Sequence, residues 1–277
     1  MPTSPDSDAG ETNPDSTVQL SLSIDQLVAI ALVFGLLIGA LSTSLAFTSG
    51  LLHAGGSDVD QSATVAQNTP TEKAAQDGSQ SITAQVSDVS TDTVADCMSS
   101  NRESFVSEIN ADRDAAGRAG ISGTPSFLIY QTGDDRAKRV VGAHPYSLFE
   151  SHIEAALAGN ASGNISTGFE TDGEQTWGAD DAAVTILYWT DYQCPFCEEF
   201  DREVLPRLRE NYVASGEVRI VMKDFAFLGD DSRTAALASR CVWTNYDQQT
   251  WTRWHSTVFE NQGSENSGWA SEENLVG

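Results

Sequence analysis

Two cysteines three positions apart, Cys194 and Cys197, are the residues of this sequence with the clearest capacity for chemistry. Two thiols at this spacing lie within bonding reach of each other and can interconvert between a dithiol and a disulfide. In such a couple one thiolate exchanges with a substrate disulfide, and the second thiol resolves the mixed disulfide that forms. We predict that Cys194 is the nucleophile and that Cys197 resolves.

The residues around the pair predict the elements that position it. Val184 to Trp189 is apolar and rich in β-branched and aromatic side chains, which predicts a buried strand. Apolar residues then recur every four positions and mark one helical face: Phe200, Val204, Leu208 and Tyr212. The helix would begin at Cys194, with Pro195 at its first position. Because backbone N–H groups and the helix dipole favour an anion at this end, we expect a lowered Cys194 pKa.

A zinc half-site and a purely structural bridge are the alternatives for this pair. A zinc site needs two further ligands at close spacing, and no second C-x-x-C or H-x3-H motif follows. His53, His144 and His152 are scattered without a metal-binding spacing. The sequence therefore favours redox chemistry and implies neither a metal nor an organic cofactor.

The charge balance argues against a nucleic-acid-binding protein. The 277 residues include 40 acidic and 15 basic side chains, which gives a net charge of −25. A surface with this field repels nucleic acid and anionic lipid head groups. Self-repulsion also destabilises a folded domain unless salt screens it, so we interpret the charge as halophilic, an adaptation to concentrated salt.

The first 80 residues predict a tail, a membrane anchor and a tether. Residues 1–25 form an acidic tail of disordered character, and residues 26–48 contain an uncharged run from Leu27 to Phe47. Those 21 residues are enough to span a bilayer as a helix. A cleavable signal peptide is the alternative, but the segment lacks a positively charged start and a clear A-x-A exit. Residues 49–80 have the composition of a flexible linker.

The cysteine content favours an oxidising compartment for the rest of the chain. An even set of four cysteines in a membrane-anchored chain suits such a compartment: Cys97, Cys194, Cys197 and Cys241. We therefore expect a single-pass protein of the cell membrane with its domain on the external face. No lysine or arginine flanks the uncharged run closely, so the orientation cannot be read from charge.

Residues 81–158 predict two helices, two strands and a closing helix. The first helix carries Val94, Cys97 and Met98 on one face, and a second, longer helix ends near Gly120. The expected strands are Ser126 to Tyr130 and Arg139 to Val141. The closing helix follows His144-Pro145 and carries four apolar residues: Leu148, Phe149, Ile153 and Leu157.

The tripeptide Gly123-Thr124-Pro125 directly precedes the first of these strands. Together with Cys194-Pro-Phe-Cys197 it resembles the thioredoxin superfamily, and the helical segments around Cys97 and Cys241 resemble the DsbA-type thiol-disulfide oxidoreductases. The resemblance implies a thioredoxin-like α/β fold with a helical insertion. It also implies a cis peptide bond between Thr124 and Pro125 that faces the active-site cysteines, where the backbone pairs with the substrate chain.

The order of the two halves departs from that family, in which the C-x-x-C half comes first. Here the Thr-Pro half, residues 81–158, precedes the C-x-x-C half, residues 177–277. We predict a circular permutation in which residues 159–176 connect the former termini and residues 81–277 form one domain. A tandem protein cut at both ends, which would leave half of each domain, is the alternative.

Two further features follow from the resemblance. Cys97 and Cys241 lie one in each half, on helices of the insertion where DsbA-like proteins often carry a second disulfide, so we expect them to pair; two buried free thiols are the alternative. Six residues before Cys194, thioredoxin-like proteins commonly have a buried acid that exchanges the proton of the second cysteine. Here that residue is Tyr188, and the nearest upstream acid is Asp191.

The sequence thus predicts a membrane-anchored thiol-disulfide oxidoreductase that acts on cysteines of exported proteins as a dithiol oxidant, with an unidentified recycling partner. Thr124 and Pro125 would bind the substrate chain. Reductases and isomerases share these residues and differ in reduction potential. Two other classes stay open: a chaperone that holds a soft ion such as Cu(I) between the cysteines, and a non-catalytic remnant whose halves do not dock.

Overall fold

The computed structural model describes residues 80–277, which form a mixed six-stranded sheet with helices on both faces. The strands are β1 (Ser126–Gln131), β2 (Arg136–Val141), β3 (Ile165–Ser166), β4 (Thr176–Trp177), β5 (Val184–Thr190) and β6 (Val218–Asp224). Their order across the sheet is β3-β2-β1-β5-β6-β4. Strands β5 and β6 are parallel, and the other neighbouring pairs are antiparallel.

Seven α-helices surround this sheet in the described part of the chain. They are α1 (Thr91–Arg118), α2 (Tyr146–Leu157), α3 (Pro195–Glu203), α4 (Leu205–Leu208), α5 (Asp230–Asn245), α6 (Gln248–Glu260) and α7 (Glu272–Val276). A 3₁₀ turn at Thr83–Gln85 precedes α1, and a π-helical turn at Arg209–Val213 follows α4. The predicted α/β class is therefore confirmed.

Strand β5 is central, and all seven of its residues are buried. Ile186 and Tyr188 face one hydrophobic core, together with Phe200 of α3. Leu187 and Trp189 face a second core on the other side of the sheet, where α1 contributes Ala115 and Ala116. Burial on both faces explains why this strand is a continuous apolar run without polar alternation.

The two halves of the chain form one sheet through the pairing of β1 with β5. Ser126 lies opposite Trp189, and Phe127 lies opposite Tyr188. The Phe127 ring stacks on Tyr188 at 5.0 Å between centroids and lies 4.6 Å from the Phe200 ring. These contacts join residues from both halves in one core. The two halves therefore dock, whereas the alternative of a non-catalytic remnant required that they do not.

One predicted element was wrong: the two helices expected before Gly120 are the single helix α1. Ser99, Ser100 and Asn101 lie between the two expected helices, and their exposed side chains do not interrupt the backbone ladder. The Asn101 amide donates to the Cys97 carbonyl oxygen one turn earlier, at 3.1 Å. Polar residues of modest helix propensity are tolerated where tertiary packing holds both ends of a helix.

The helix after Cys197 is interrupted at Val204, between α3 and α4, where the backbone adopts φ −111° and ψ −48°. Pro206 lies in the first turn of α4. Its ring would clash with the backbone of the preceding turn if the helix continued unbroken. The break keeps all four residues of the predicted apolar face buried: Phe200, Val204, Leu208 and Tyr212.

The expected connection at residues 159–176 runs between opposite edges of the sheet. It contains β3, which pairs with β2 at one edge, and it reaches Thr176 of β4 at the other. The expected tail, anchor and tether, residues 1–25, 26–48 and 49–80, lie outside the described residues except for residue 80. Between residues 80 and 277, no helix combines the length and apolar character needed to cross a bilayer.

Candidate active site

Cys194 occupies the N-cap position of α3, directly after the turn that follows β5. Its carbonyl oxygen accepts the N–H groups of Cys197 at 3.0 Å and Glu198 at 3.1 Å, and Pro195 is the first helical residue. This capping arrangement directs the first N–H groups of the helix towards the Cys194 side chain. Cys194 is nearly buried, with 5% of the residue exposed, and Cys197 is fully buried.

The surroundings of Cys194 favour its thiolate and lower its pKa to about 6. The largest contribution is a hydrogen bond from the Cys197 thiol, and partial burial opposes it. The Thr124 side chain and the backbone N–H groups of Cys197 and Phe196 also lower the pKa. The buried Thr124 hydroxyl has no hydrogen-bond partner within residues 80–277, so it is available to the Cys194 thiolate.

The pKa of Cys197 is shifted in the opposite direction. Burial raises its pKa well above the usual value for a thiol, and its hydrogen bond to Cys194 and the Cys194 charge raise it further. A hydrogen bond from the Thr190 hydroxyl partly opposes the increase. The pair therefore consists of one accessible thiolate and one buried thiol, both present as free cysteines in this structure.

Thr124 and Pro125 lie beside Cys194, although 70 positions separate Thr124 from it in the chain. The Cys194 Sγ is 3.4 Å from the Thr124 carbonyl oxygen, and the peptide bond between Thr124 and Pro125 is cis. Strand β1 begins at the next residue, Ser126, and its pairing with Trp189 of β5 holds this bend against the cysteine turn. The Pro125 carbonyl oxygen accepts the Gly142 N–H at 2.8 Å, which fixes the bend from the other side.

Apolar side chains flank the cysteine pair on the surface. Phe196, between the two cysteines, is 60% exposed, and Phe227 is 40% exposed. Phe227 packs against Phe225 at 5.0 Å between ring centroids. Exposed aromatic side chains of this kind are available for contact with an apolar segment of another chain.

Cys97 and Cys241 are joined by a disulfide that links α1 to α5, with 5.7 Å between their Cα atoms. The bond connects the two halves of the chain across 144 positions. Both residues are buried, and they belong to the same hydrophobic core as Cys194 and Cys197. The bond therefore belongs to the framework that supports the site.

Asp191, the nearest upstream acid, is a structural residue of the turn. Its carboxylate accepts the Gln193 N–H at 2.8 Å and the N–H groups of Phe227 and Leu228 at 2.9 and 3.1 Å. Three backbone donors occupy both of its oxygens. Asp191 therefore fastens the segment after β6 to the cysteine turn.

Buried ion pairs that were not predicted from the sequence lie beneath the sheet, on the side of α1. Lys223 Nζ is 2.7 Å from Glu174 and 3.0 Å from Asp112, and Arg240 contacts Asp224 and Asp112 at 2.7 Å each. Burial and the neighbouring Glu174 carboxylate raise the Asp112 pKa to about 7. These ion pairs join α1, β6 and α5.

A second unpredicted group lies under α3. The His255 imidazole of α6 contacts the Asp201 carboxylate at 2.8 Å, and both residues are buried. The sequence did contain one indication that Asp201 lies near the active site. It is four positions after Cys197, and residues four apart share a helical face.

Comparison with known proteins supports the resemblance drawn from the motifs. Residues 170–274 match a thioredoxin family model. The probable disulfide bond formation protein D of Bacillus anthracis is 30% identical over 137 residues, which cover 50% of this chain and 58% of that protein. The disulfide bond formation protein D of Bacillus subtilis is 33% identical over 99 residues, 36% of this chain and 44% of that protein. The chain thus spans about half the length of these relatives.

Two solved structures are also similar over part of the chain. The oxidised BdbD of Bacillus subtilis is 33% identical, with a TM-score of 0.34 and coverage of 36% of this chain and 54% of that one. The DsbA of Chlamydia trachomatis is 25% identical, with a TM-score of 0.35 and coverage of 38% and 56%. The family match and the sequence relatives thus make the chain similar, over part of its length, to DsbA-like proteins of the thioredoxin superfamily.

Proposed function

We propose that this protein is a thiol-disulfide oxidoreductase that oxidises pairs of cysteines in exported proteins. The observation that carries the proposal is the contrast within the pair, since the Cys194 pKa is lowered to about 6 and the Cys197 pKa is raised. Stabilising one thiolate of the reduced form makes the corresponding disulfide easier to reduce, and hence more oxidising. The names of the sequence relatives, disulfide bond formation proteins, agree with this direction.

In the proposed reaction a substrate thiolate attacks the Cys194 sulfur of the oxidised pair. The bond between Cys194 and Cys197 breaks, Cys197 leaves with the electron pair, and a mixed disulfide forms between substrate and Cys194. A second substrate thiolate then attacks the substrate sulfur of that mixed disulfide and expels the Cys194 thiolate. The low Cys194 pKa makes it a good leaving group at neutral pH.

We propose that Thr124 and Pro125 order the substrate chain during this exchange. A substrate sulfur bonded to Cys194 must approach the Thr124 carbonyl oxygen, because that oxygen is 3.4 Å from the Cys194 Sγ. The exposed Phe196 and Phe227 would contact apolar side chains of the same substrate. Recognition through backbone and apolar contacts suits an enzyme that accepts many unfolded clients.

The reduction potential of the full-length chain tests the assignment as an oxidant. The chain is equilibrated with glutathione buffers and then mixed with a reduced peptide that carries two cysteines. An oxidant should have a potential near or above about −180 mV and should form the peptide disulfide stoichiometrically. A potential near that of thioredoxin, about −270 mV, would instead assign a reductase. The Cys194→Ser variant is the control and should not oxidise the peptide.

We further propose that residues 27–47 anchor the protein in the cell membrane with the catalytic domain outside. The support is the uncharged 21-residue run, the even cysteine count and the kind of substrate that the site fits. A membrane-impermeant maleimide added to intact cells should label Cys194 in the reduced protein. Labelling only after lysis would place the domain inside the cell.

Finally, we propose that the chain order arose by circular permutation. In support, the Ile82 N–H donates to the Asn274 carbonyl oxygen at 2.9 Å, so the two segments that the alternative order would join are neighbours. The connection at residues 159–176 crosses between the sheet edges, as a link between former termini would. A variant with residue 277 joined to residue 81 and new ends between residues 159 and 176 should fold and retain the Cys194 pKa. A variant that does not fold would favour the tandem alternative.

A further inference from the structure

The resolving cysteine needs a partner with which to exchange a proton. Cys197 is fully buried, and its raised pKa means that it must take up a proton when it leaves as a thiolate and release one when it attacks. Tyr188 cannot serve as an acid, since burial raises its pKa well above the usual value for a phenol. Asp191 is occupied by three backbone N–H donors. Another group must therefore hold the proton.

Asp201 has the location that this task requires. It lies four residues after Cys197 on α3, so the two side chains project from the same helical face about 5–6 Å apart at Cβ. Only 4% of Asp201 is exposed. The charges of Cys197 and Asp201 both contribute to the raised pKa of the buried Tyr188 hydroxyl.

Two buried hydroxyl groups lie near Cys197. The Thr190 hydroxyl donates to the Tyr188 hydroxyl oxygen at 2.9 Å, and Tyr188 packs in the same hydrophobic core as Cys197. Each hydroxyl can accept one proton while it donates another. Thr190 and Tyr188 therefore add hydroxyl groups to the buried surroundings of the thiol.

His255 and Asp201 form a buried pair that can hold a proton. Its Nε2 is 2.8 Å from the Asp201 carboxylate, and its Nδ1 is 2.7 Å from the Tyr192 hydroxyl. Trp177, Trp251 and further aromatic rings surround the imidazole, which has no exposed surface. A proton on this pair is thus separated from bulk water.

The hydrogen bonds around His255 are compatible with two protonation states. Trp251 Nε1 can only donate, and it lies 3.0 Å from the Ser239 oxygen, whereas the Ser239 and Tyr192 hydroxyls, 2.9 Å apart, can each donate or accept. With neutral His255, Tyr192 donates to Nδ1 and Nε2–H donates to Asp201. With protonated His255, Nδ1–H donates to Tyr192, which turns its own proton to Ser239. Each ring nitrogen keeps a partner in both states.

We propose that the buried Asp201 and His255 pair, one helical turn along α3 from Cys197, is the proton store for that cysteine. This inference rests on the proposed thiol-disulfide exchange. When a substrate thiolate breaks the bond between the cysteines, the pair gives a proton to the departing Cys197 sulfur. When a disulfide such as glutathione disulfide reoxidises the protein, Cys197 returns that proton as its sulfur attacks the Cys194 mixed disulfide and expels the partner thiolate.

Several ionisable groups face the pair and set the charge of its compartment. Cys197 and Tyr188 lie on the side of the sheet, and Tyr192 contacts the imidazole directly. The Asp201 charge also acts on the partly buried Arg209 of the π-helical turn, and Asp224 of β6 acts on Tyr192. Any pH profile of the exchange contains contributions from these groups.

The resolution step tests the proposal directly. The reduced full-length chain is mixed with glutathione disulfide, samples are acid-quenched, and mass spectrometry measures the Cys194 glutathione mixed disulfide over a range of pH. Asp201→Asn keeps the size and the contact with His255 but cannot take the proton. We expect resolution to slow by on the order of 10²-fold at pH 7, so that the mixed disulfide accumulates, and to recover as pH rises and hydroxide removes the proton directly.

The matched control is Asp231→Asn, which removes another buried carboxylate, one that accepts the Gly268 N–H at 2.9 Å. It should resolve at the wild-type rate. His255→Gln retains a donor to Asp201 and should also accumulate the mixed disulfide, which keeps the test decisive if Asp201→Asn does not fold. Wild-type resolution rates in the variants, or slowing that is equal at every pH, would overturn the proton store. Failure of the wild-type chain to react with glutathione disulfide would instead overturn the proposed function.

Discussion

The Cys194 Sγ lies 3.4 Å from the Thr124 carbonyl oxygen, so a sulfur at the start of one helix meets a bend that precedes a strand from the other half of the chain. The pairing of β1 with β5 holds this contact, because Ser126 and Trp189 are opposite each other in the ladder. The site therefore depends on the register of two central strands. A shift of one residue would turn their side chains to opposite faces of the sheet and separate the two segments.

The first prediction concerns the ionisation of the two active-site thiols. In the reduced protein, alkylation of Cys194 by iodoacetamide should follow a titration near pH 6, and Cys197 should stay unreactive until much higher pH. The measurement is the alkylation rate against pH, with the modified residue identified by mass spectrometry. A Cys194 titration near the value of an ordinary thiol would contradict the proposed electrostatics.

The lowered Cys194 pKa also predicts how the stability of the reduced form depends on pH. The folded value, about 6, lies below the ordinary value for a cysteine thiol, 9.0, so the thiolate binds its proton more weakly in the folded state. This contribution is fully present above about pH 9 and is lost as pH falls through about 6. Urea unfolding of reduced wild type and reduced Cys194→Ser should therefore show a difference that grows between pH 6 and pH 9. A constant difference would contradict the prediction.

The Thr124 hydroxyl should contribute to the Cys194 thiolate. Thr124→Val keeps the shape of the side chain and the carbonyl oxygen but removes the donor, so the Cys194 pKa should rise by about one unit. Thr132→Val is the matched control, since its hydroxyl contacts Thr185 at the far end of the same strands. Equal Cys194 titrations in both variants would remove Thr124 from the thiolate site.

The buried cation Lys223 should matter far more for stability than an exposed one. Lys223→Met leaves the Asp112 and Glu174 carboxylates without one of their partners, at a cost of about 3–5 kcal/mol in the free energy of unfolding. Arg102→Met removes an ion pair with Glu272 in which both side chains are about half exposed, and should cost less than about 1 kcal/mol. Urea denaturation measures both, and similar costs would show that the cluster is not a stabilising network.

The disulfide between Cys97 and Cys241 should stabilise the domain without controlling the chemistry. Replacing both residues with alanine should lower the free energy of unfolding by about 2–5 kcal/mol, since the bond closes a loop across 144 positions. The Cys194 alkylation profile of the folded variant should match that of the wild type. A shifted profile would mean that this bond positions the active site as well.

Local sequence was sufficient for the elements that make Cys194 reactive. The apolar run into β5, Pro195 after the cysteine and the four-residue recurrence from Phe200 predicted a strand and a helix that the structure contains. These signals are local, since strand and helix periodicities are written in consecutive residues. The same local reasoning failed for α1, where two helices were expected and the structure has one.

Thr124 and Pro125 were assigned to the site from the family resemblance, because no local sequence pattern relates residues 70 positions apart. Tertiary structure alone decided which buried polar groups face each other: Asp201 with His255, Lys223 with Asp112, and Asp191 with the segment after β6. The physical reason is that such a group is stable only when particular distant partners satisfy it, and those partners are set by the packing of whole elements. Sequence thus determined the sulfur chemistry, and the fold determined where its protons and supporting charges lie.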